Sequence, residues 1–227
     1  MQRIPRITLS YAQSLDGRLA TATGDSRWIS GERTLTLAHK LRRENQVILV
    51  GIGTVLRDDP ELSCRLKRRV TSPVRVVLDS RLRIPLDSTI VRTCSSYRTL
   101  VYTTPEADAQ KRSRLEQAGV QVVALQPDEE GRVAVEGVVE DLAAQGFGSV
   151  FVEGGARIIT SFLRAGLVHR MLVVVAPLFI GRGIEAVGDL GIEKLEQALR
   201  PQLRKVRRLG NDLVWELIFN EPKFTVT

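Results

Sequence analysis

The segment Glu153-Gly154-Gly155-Ala156-Arg157 lies between an apolar run, Ser149–Val152, and a helical pattern. Glycine has no Cβ, so the chain can turn sharply there and bring its backbone close to a ligand. A helix starting at such a turn presents free N–H groups and a partial positive charge. Together these bind anions, the pyrophosphate of a dinucleotide among them. Two glycines fall short of the GxGxxG fingerprint, and a tight strand-to-helix turn without a ligand uses the same residues. Glu153 adds weight to a site, because a carboxylate at the tip of a buried strand is costly unless a partner meets it.

Four other segments place small or polar residues after an apolar run. Gly51-Ile52-Gly53-Thr54-Val55-Leu56-Arg57-Asp58-Asp59-Pro60 follows Val47–Val50. Thr54 offers a hydroxyl to a phosphate or amide, and Asp58 and Asp59 accept from hydroxyl or ring N–H groups. A short capped helix ended by Pro60 accounts for the same string. Ser14-Leu15-Asp16-Gly17 and Thr23-Gly24-Asp25-Ser26-Arg27-Trp28 are turn-rich. Trp28 brings a large aromatic into a polar loop, where it could stack on a planar ring. Asp79-Ser80-Arg81, after Val74–Leu78, suits a phosphate oxygen or a solvated turn. Ala176–Gly183, with Gly181 and Gly183, reads first as a plain turn and second as a phosphate contact.

These segments need elements to position them, and the periodicity supplies them. Ile7–Tyr11 alternates like a strand. Arg33–Glu44 puts Leu37, Ala38 and Leu41 on one helical face. Val47–Val50 is continuously apolar, as expected of a strand covered on both faces. Val74–Leu78, Thr99–Thr103 and Val120–Leu125 are further strands. Between the last two, Pro105 in a first turn opens a helix reaching Ala118, and Gly119 stops it. Val135–Gln145 is a helix, Ser149–Val152 a strand. A helix from near Ala156 follows, with Ile159, Phe162 and Leu163 on one face and Gly166 at its end. Val168–Ala176 is a strand. Leu203–Leu209 and Leu213–Phe219 flank the turn Gly210-Asn211-Asp212 of an antiparallel hairpin.

The expected fold is therefore α/β: a mostly parallel central sheet flanked by helices on both faces, closed by a C-terminal antiparallel hairpin. No Ser/Gly-rich linker divides the chain, so residues 1–227 read as one domain. In open α/β sheets ligands bind beyond the carboxyl ends of the strands, which is where all five segments fall.

Composition removes several classes. Two cysteines, Cys64 and Cys94, and two histidines, His39 and His169, show no metal-ligand spacing, so no metal site is expected. No apolar run approaches the roughly 18–20 residues of a membrane span. The charges of the first six residues have no apolar run behind them, so a signal peptide is not expected and the cytoplasm is the expected compartment. A net charge of +7 would suit nucleic acid, but the aromatic content is 5% and the basic residues are dispersed, unlike a nucleic-acid module. Attraction of phosphorylated small molecules, or plain solubility, explains the charge as well.

The ordered series is more specific than its parts. It runs Ser-Leu-Asp-Gly, Asp-Ser-Arg-Trp, Val-Gly-Ile-Gly-Thr-Val-Leu-Arg-Asp-Asp-Pro, Val-Arg-Val-Val-Leu-Asp-Ser, Val-Glu-Gly-Gly-Ala, Ala-Gly-Leu-Val and Ala-Pro-Leu-Phe-Ile-Gly. From about Ile7 to Phe219 this resembles the riboflavin-biosynthesis reductase family, the reductase half of a bifunctional deaminase–reductase. The resemblance implies a dihydrofolate-reductase-like fold, NADPH, a homodimer, and a ribosylaminopyrimidine 5′-phosphate substrate whose ribosyl group becomes ribityl. It places Ala12, Trp28, Thr54, Asp58 and Ser80 on the cofactor. It also places there Gly154, Gly155 and the helix start Ala156, Arg157, Ile158, Ile159, Thr160 and Ser161. The substrate would meet Ser26, Arg42, Leu62, Arg65 and Glu153, with Asp58 or Glu153 orienting the proton that accompanies hydride addition. A deaminase half and its zinc ligands are not expected, as in the stand-alone archaeal and fungal reductases. Whether the pyrimidine carries an amino or an oxo group stays open. A dihydrofolate or pteridine reductase on the same fold and a basic nucleic-acid-binding protein are the alternatives.

Overall fold

The computed structural model describes residues 4–27, 29–65 and 71–220. Trp28 lies outside them. The strands are β1 (Arg6–Ser14), β2 (Arg18–Thr21), β3 (Val47–Gly51), β4 (Val74–Leu78), β5 (Thr99–Thr103) and β6 (Gln121–Ala124). They continue as β7 (Ser149–Glu153), β8 (Arg170–Ala176), β9 (Gly183–Glu185), β10 (Gln202–Leu209) and β11 (Asp212–Ile218). The helices are α1 (Glu32–Glu44), α2 (Ile52–Asp58), α3 (Thr89–Arg92), α4 (Ala109–Gln117), α5 (Val135–Ala144) and α6 (Ala156–Arg164).

Nine strands form one sheet in the order β10-β11-β8-β1-β7-β3-β4-β5-β6. Every neighbouring pair from β8 across to β6 is parallel. The hairpin β10–β11 pairs antiparallel on the β8 side. The expected parallel sheet with an antiparallel edge is thus present.

Alternate strand residues feed two cores. On one face Leu49, Val76 and Val152 pack with Val138 and Leu142 of α5 and Ile159 and Phe162 of α6. On the other, Ile48, Val77 and Phe151 pack with Leu41 of α1, Val55 of α2 and Leu115 of α4. The period of two along a strand makes this division, and each fully buried Leu, Ile or Phe contributes roughly 1.5–3 kcal/mol. All five residues of β3 are buried, as a strand covered on both faces requires.

Two elements differ from the sequence reading. The fourth helix does not begin at Pro105. Asp108 is its N-cap, accepting from Gln110 N at 2.8 Å and Lys111 N at 3.1 Å, and a carboxylate there satisfies the free amides that proline cannot. The turn segments around Asp16 and Gly181 are not separate loops. They bring together β2 and β9, which form a two-stranded sheet. Asp16 accepts from Ile180 N at 3.1 Å and Gly181 N at 2.6 Å, and Ser14 Oγ donates to it at 2.6 Å. A Cβ on Gly183 would collide with the Ala20 carbonyl, so only glycine lets these strands approach.

The bond from Ser14, followed by the backbone amides, pushes the Asp16 carboxyl down to about 2. A depressed folded pKa stabilises the fold above the ordinary carboxylate range, and that stabilisation fades as pH falls through the folded value. Asp16→Asn should therefore melt below the wild type at neutral pH, with the gap narrowing as pH falls from about 4 to about 2. Equal melting temperatures at neutral pH would exclude this role.

Candidate active site

The carboxyl ends of β1, β3, β4 and β7 open into a cleft of about 1620 Å³, ample beside the roughly 300–1,000 Å³ of ordinary ligand pockets. β7 contributes Glu153, and the chain then turns through Gly154 and Gly155 into α6. Gly155 is the N-cap, with no side chain capping the first amides. A Cβ built on it would meet nothing within 4 Å. The turn therefore has open space beside Gly155, and no side chain of the N-cap takes the first amides of α6.

Helical spacing divides the residues of α6. Ala156, Arg157, Ile158 and Ser161 line the cleft. Ile159 is 0% exposed and belongs to the core. The Thr160 hydroxyl donates to the Ala156 carbonyl at 2.7 Å and accepts from Gly188 N at 2.8 Å. Ile159 and Thr160 therefore back the helix start rather than face the cleft.

Ala12, Ser26, Thr54, Asp58 and Ser80 all line the same cleft, so the structure gathers residues from most of the chain's length. The glycine-rich string after β3 is both things it could be: a short helix, α2, and a cleft wall. Burial pushes the Asp58 carboxyl upward, against the pull of Arg57 and Arg27. Arg27, Arg57, Arg81, Arg83, Arg132 and Arg157 give the lining a basic character suited to anions.

Arg42 occupies a different place from the one its type suggested. Its Nε and Nη2 donate to the two oxygens of Glu153 at 2.9 and 2.7 Å, and Nη1 donates to the Ser63 carbonyl at 3.1 Å. Burial opposes the Arg42 charge, and the Glu153 carboxylate more than offsets that. The fork is bidentate, the strong form of this pair. Arg42 therefore holds Glu153, and the free edge of the pair toward the cleft is the carboxylate.

Leu62 is 2% exposed and its side chain joins the core. Arg65 is exposed outside the cleft lining, with its N–H donating to His39 Nδ1 at 3.2 Å. Burial, then the charges of Arg42 and Arg65, push the His39 pKa downward, which suits the acceptor role. Sequence reasoning missed this histidine, because nothing local links α1 to residue 65. It also missed Tyr11, a cleft residue whose hydroxyl burial pushes up to about 12. Among the described residues no three His, Cys, Asp or Glu side chains are grouped to hold a metal ion. Among them too, no helix is long and apolar enough to cross a membrane.

The family model described as the RibD C-terminal domain matches residues 5–215. The chain belongs to this family. The riboflavin biosynthesis protein RibD of Aquifex aeolicus is 40% identical over 213 residues, covering 94% of this chain and 57% of that protein. The 2,5-diamino-6-ribosylamino-4(3H)-pyrimidinone 5′-phosphate reductase of Methanothermobacter thermautotrophicus is 36% identical over 217 residues, covering 93% of this chain and 97% of that one. Among solved structures, Acinetobacter baumannii RibD superposes with a TM-score of 0.81 at 30% identity, over 95% of this chain and 58% of that one. A dihydrofolate reductase of Enterococcus faecalis, at 16% identity and a TM-score of 0.50 over 95% of this chain and 97% of that one, shares the fold alone. The RibD C-terminal domain thus has a dihydrofolate-reductase-like fold here, as the sequence resemblance implied. The chain spans a little over half the length of several of the RibD proteins it matches.

Proposed function

We propose that the chain is an NADPH-dependent reductase that converts the ribosyl group of a ribosylaminopyrimidine 5′-phosphate to ribityl in riboflavin biosynthesis. One observation carries the reading. The uncapped start of α6 at Gly155 and the Arg42-held carboxylate of Glu153 share one wall of the cleft. The first suits the anionic part of a nucleotide, the second the hydroxyl or N–H groups of a substrate.

The residues present fit a nicotinamide dinucleotide, because the open space at Gly155 borders free amides and the lining is basic. Gly154, Gly155, Ala156, Arg157, Ile158 and Ser161 would hold the pyrophosphate, with Ile159 and Thr160 fixing the helix behind them. Ala12, Thr54, Asp58 and Ser80 would meet the rest of the cofactor. When bound, the nicotinamide supplies the hydride for C1′.

The chain's own part is position and proton control. Glu153 orients substrate hydroxyls, held in place by Arg42. Ser26 and Arg65 take the polar end of the substrate, where a planar guanidinium suits a 5′-phosphate. Asp58, whose acid form burial favours, orients the proton that accompanies hydride addition. Leu62, buried in the core three residues before Arg65, would back that end of the substrate. We place the protein in the cytoplasm, where free thiols such as Cys64 and Cys94 persist. We also propose a homodimer. Trp215 and Leu213, on the same face of β11, stand with Val206 and Leu203 of β10 as exposed apolar residues, an area a second copy would cover.

The test is consumption of NADPH by purified protein with the pyrimidine phosphate, offered separately in its amino and oxo forms. Turnover of one form is the expected result. Turnover of neither removes the assignment.

A further inference from the structure

We infer that His39 is a positioning residue: its neutral imidazole accepts the Arg65 amide, fixes the backbone that carries Arg65, and so sets where the substrate's 5′-phosphate lies relative to Glu153. This rests on the reading that Arg65 takes that phosphate.

The chain from Glu61 to Arg65 has no helix or strand of its own. From Asp59 onward, every second residue is held from outside. The Asp59 carboxylate accepts from Thr89 N and Thr89 Oγ1, both at 2.7 Å. The Glu61 carbonyl accepts from Arg75 Nη1 at 3.1 Å, and the Ser63 carbonyl from Arg42 Nη1 at 3.1 Å. The Arg65 N–H donates to His39 Nδ1 at 3.2 Å. Asp59 and Leu62 take positive φ values of 37° and 57°, backbone states that persist only where the surroundings impose them. The shape of this segment is therefore set by its clamps, and His39 is the last of them before Arg65.

His39 and Arg42 stand three residues apart on α1, a spacing that puts them on one helical face. Arg42 forks onto Glu153, and His39 holds Arg65. One helix thus fixes both the carboxylate that meets the substrate hydroxyls and the backbone beneath the phosphate ligand. Cys64 Sγ, donating to the His39 carbonyl at 3.3 Å, adds a second tie between the same two segments.

The His39 clamp differs from the other three in its chemistry. Guanidinium groups keep their charge at any working pH, and the Thr89 bonds hold the Asp59 carboxyl below its ordinary range. An imidazole titrates near neutrality, and a nitrogen that accepts the Arg65 N–H cannot carry a proton. Among the described residues, the charged or titratable groups facing His39 are Arg42 on its own helix, Arg65 and Cys64 on the loop, and Glu153 at the end of β7. Burial, then the Arg42 and Arg65 charges, disfavour protonation, and Glu153 and the Ser63 carbonyl oppose them in part. The balance keeps His39 neutral above about pH 6.5. As pH falls below that value, Nδ1 takes a proton, stops accepting and releases the Arg65 amide.

The test is steady-state kinetics with the pyrimidine phosphate that the wild type turns over, and with the same compound lacking its phosphate. His39→Ala should raise KM for the phosphorylated compound by about tenfold, the upper end for one neutral hydrogen bond. Its kcat should stay within about twofold, and its KM for the dephosphorylated compound should equal the wild type's, on the same bookkeeping. His39→Asn, whose Oδ1 can replace Nδ1 as acceptor, should restore KM. A phosphate monoester itself takes up a proton near pH 6, so the diagnostic is a difference: below that pH, KM should rise more steeply in the wild type than in His39→Asn. Melting curves of both variants establish that they are folded. An unchanged KM in His39→Ala, an equal rise for both compounds, or no rescue by His39→Asn would overturn the role of His39. If Arg65→Ala leaves KM for the phosphorylated compound unchanged, the placement of Arg65 on the phosphate falls instead.

Discussion

Glu153→Gln is expected to leave the chain folded and to lower kcat/KM by about a hundredfold or more, the lower range for losing a positioned acid–base or orienting group. The variant keeps the shape of the side chain and removes its charge. Arg42 then sits buried beside a neutral amide, and its guanidinium loses the fork it now donates into. Breaking a fully buried ion pair costs about 3–5 kcal/mol. The Glu153 side chain is 30% exposed, so a loss of about 1–3 kcal/mol is the better expectation after screening. Thermal melts read that loss and steady-state kinetics read the other. Arg42→Lys separates the two roles. It keeps a positive charge but loses the planar fork, so kcat should fall more than KM rises. Full turnover in both variants would reduce the pair to a structural bridge.

The second large effect is expected at Gly155. Its φ of −83° and ψ of 166° lie in the extended region open to any residue. A Cβ there meets no protein atom within 4 Å. Gly155→Val should therefore fold with little change in Tm. The added branches would occupy space beside the free amides of α6, and NADPH affinity should drop about a hundredfold, or about 2.7 kcal/mol. The thermal stabilisation that saturating NADPH gives the wild type should shrink correspondingly. An unchanged Kd would remove the turn from the cofactor site. Gly51 would be a poor substitute for this experiment. A Cβ there comes within 2.8 Å of Ile158 Cγ1, so loss of binding and loss of packing would be confounded.

The sequence by itself determined the elements and the region of the site. Val47–Val50 reads as a doubly covered strand because every residue is apolar, and β3 is buried throughout. Ile159, Phe162 and Leu163 share a helical face, and all three are buried. Such periodicities are local properties of the chain. They also place the ligand-facing segments at strand ends, and the cleft is there.

What the tertiary structure decided is who meets whom. Arg42 and Glu153 are 111 residues apart, and their types alone suggest two separate ligand contacts rather than one pair. Asp212 reads as a turn residue, yet its carboxylate accepts from Gly31 N at 3.0 Å and Thr34 Oγ1 at 2.8 Å, bracing the start of α1 from 181 and 178 residues away. Arg75 is the one charged residue in the strand Val74–Leu78. It is 0% exposed, and its guanidinium donates to the Glu61, Ile90 and Tyr97 carbonyls. Each contact joins segments that only the strand order makes neighbours. Local patterning specifies an element and its buried face, whereas the partner of a polar side chain depends on which strands lie side by side. The turn at Gly154-Gly155 belongs to the first kind, and the Arg42 fork that fixes Glu153 beside it belongs to the second.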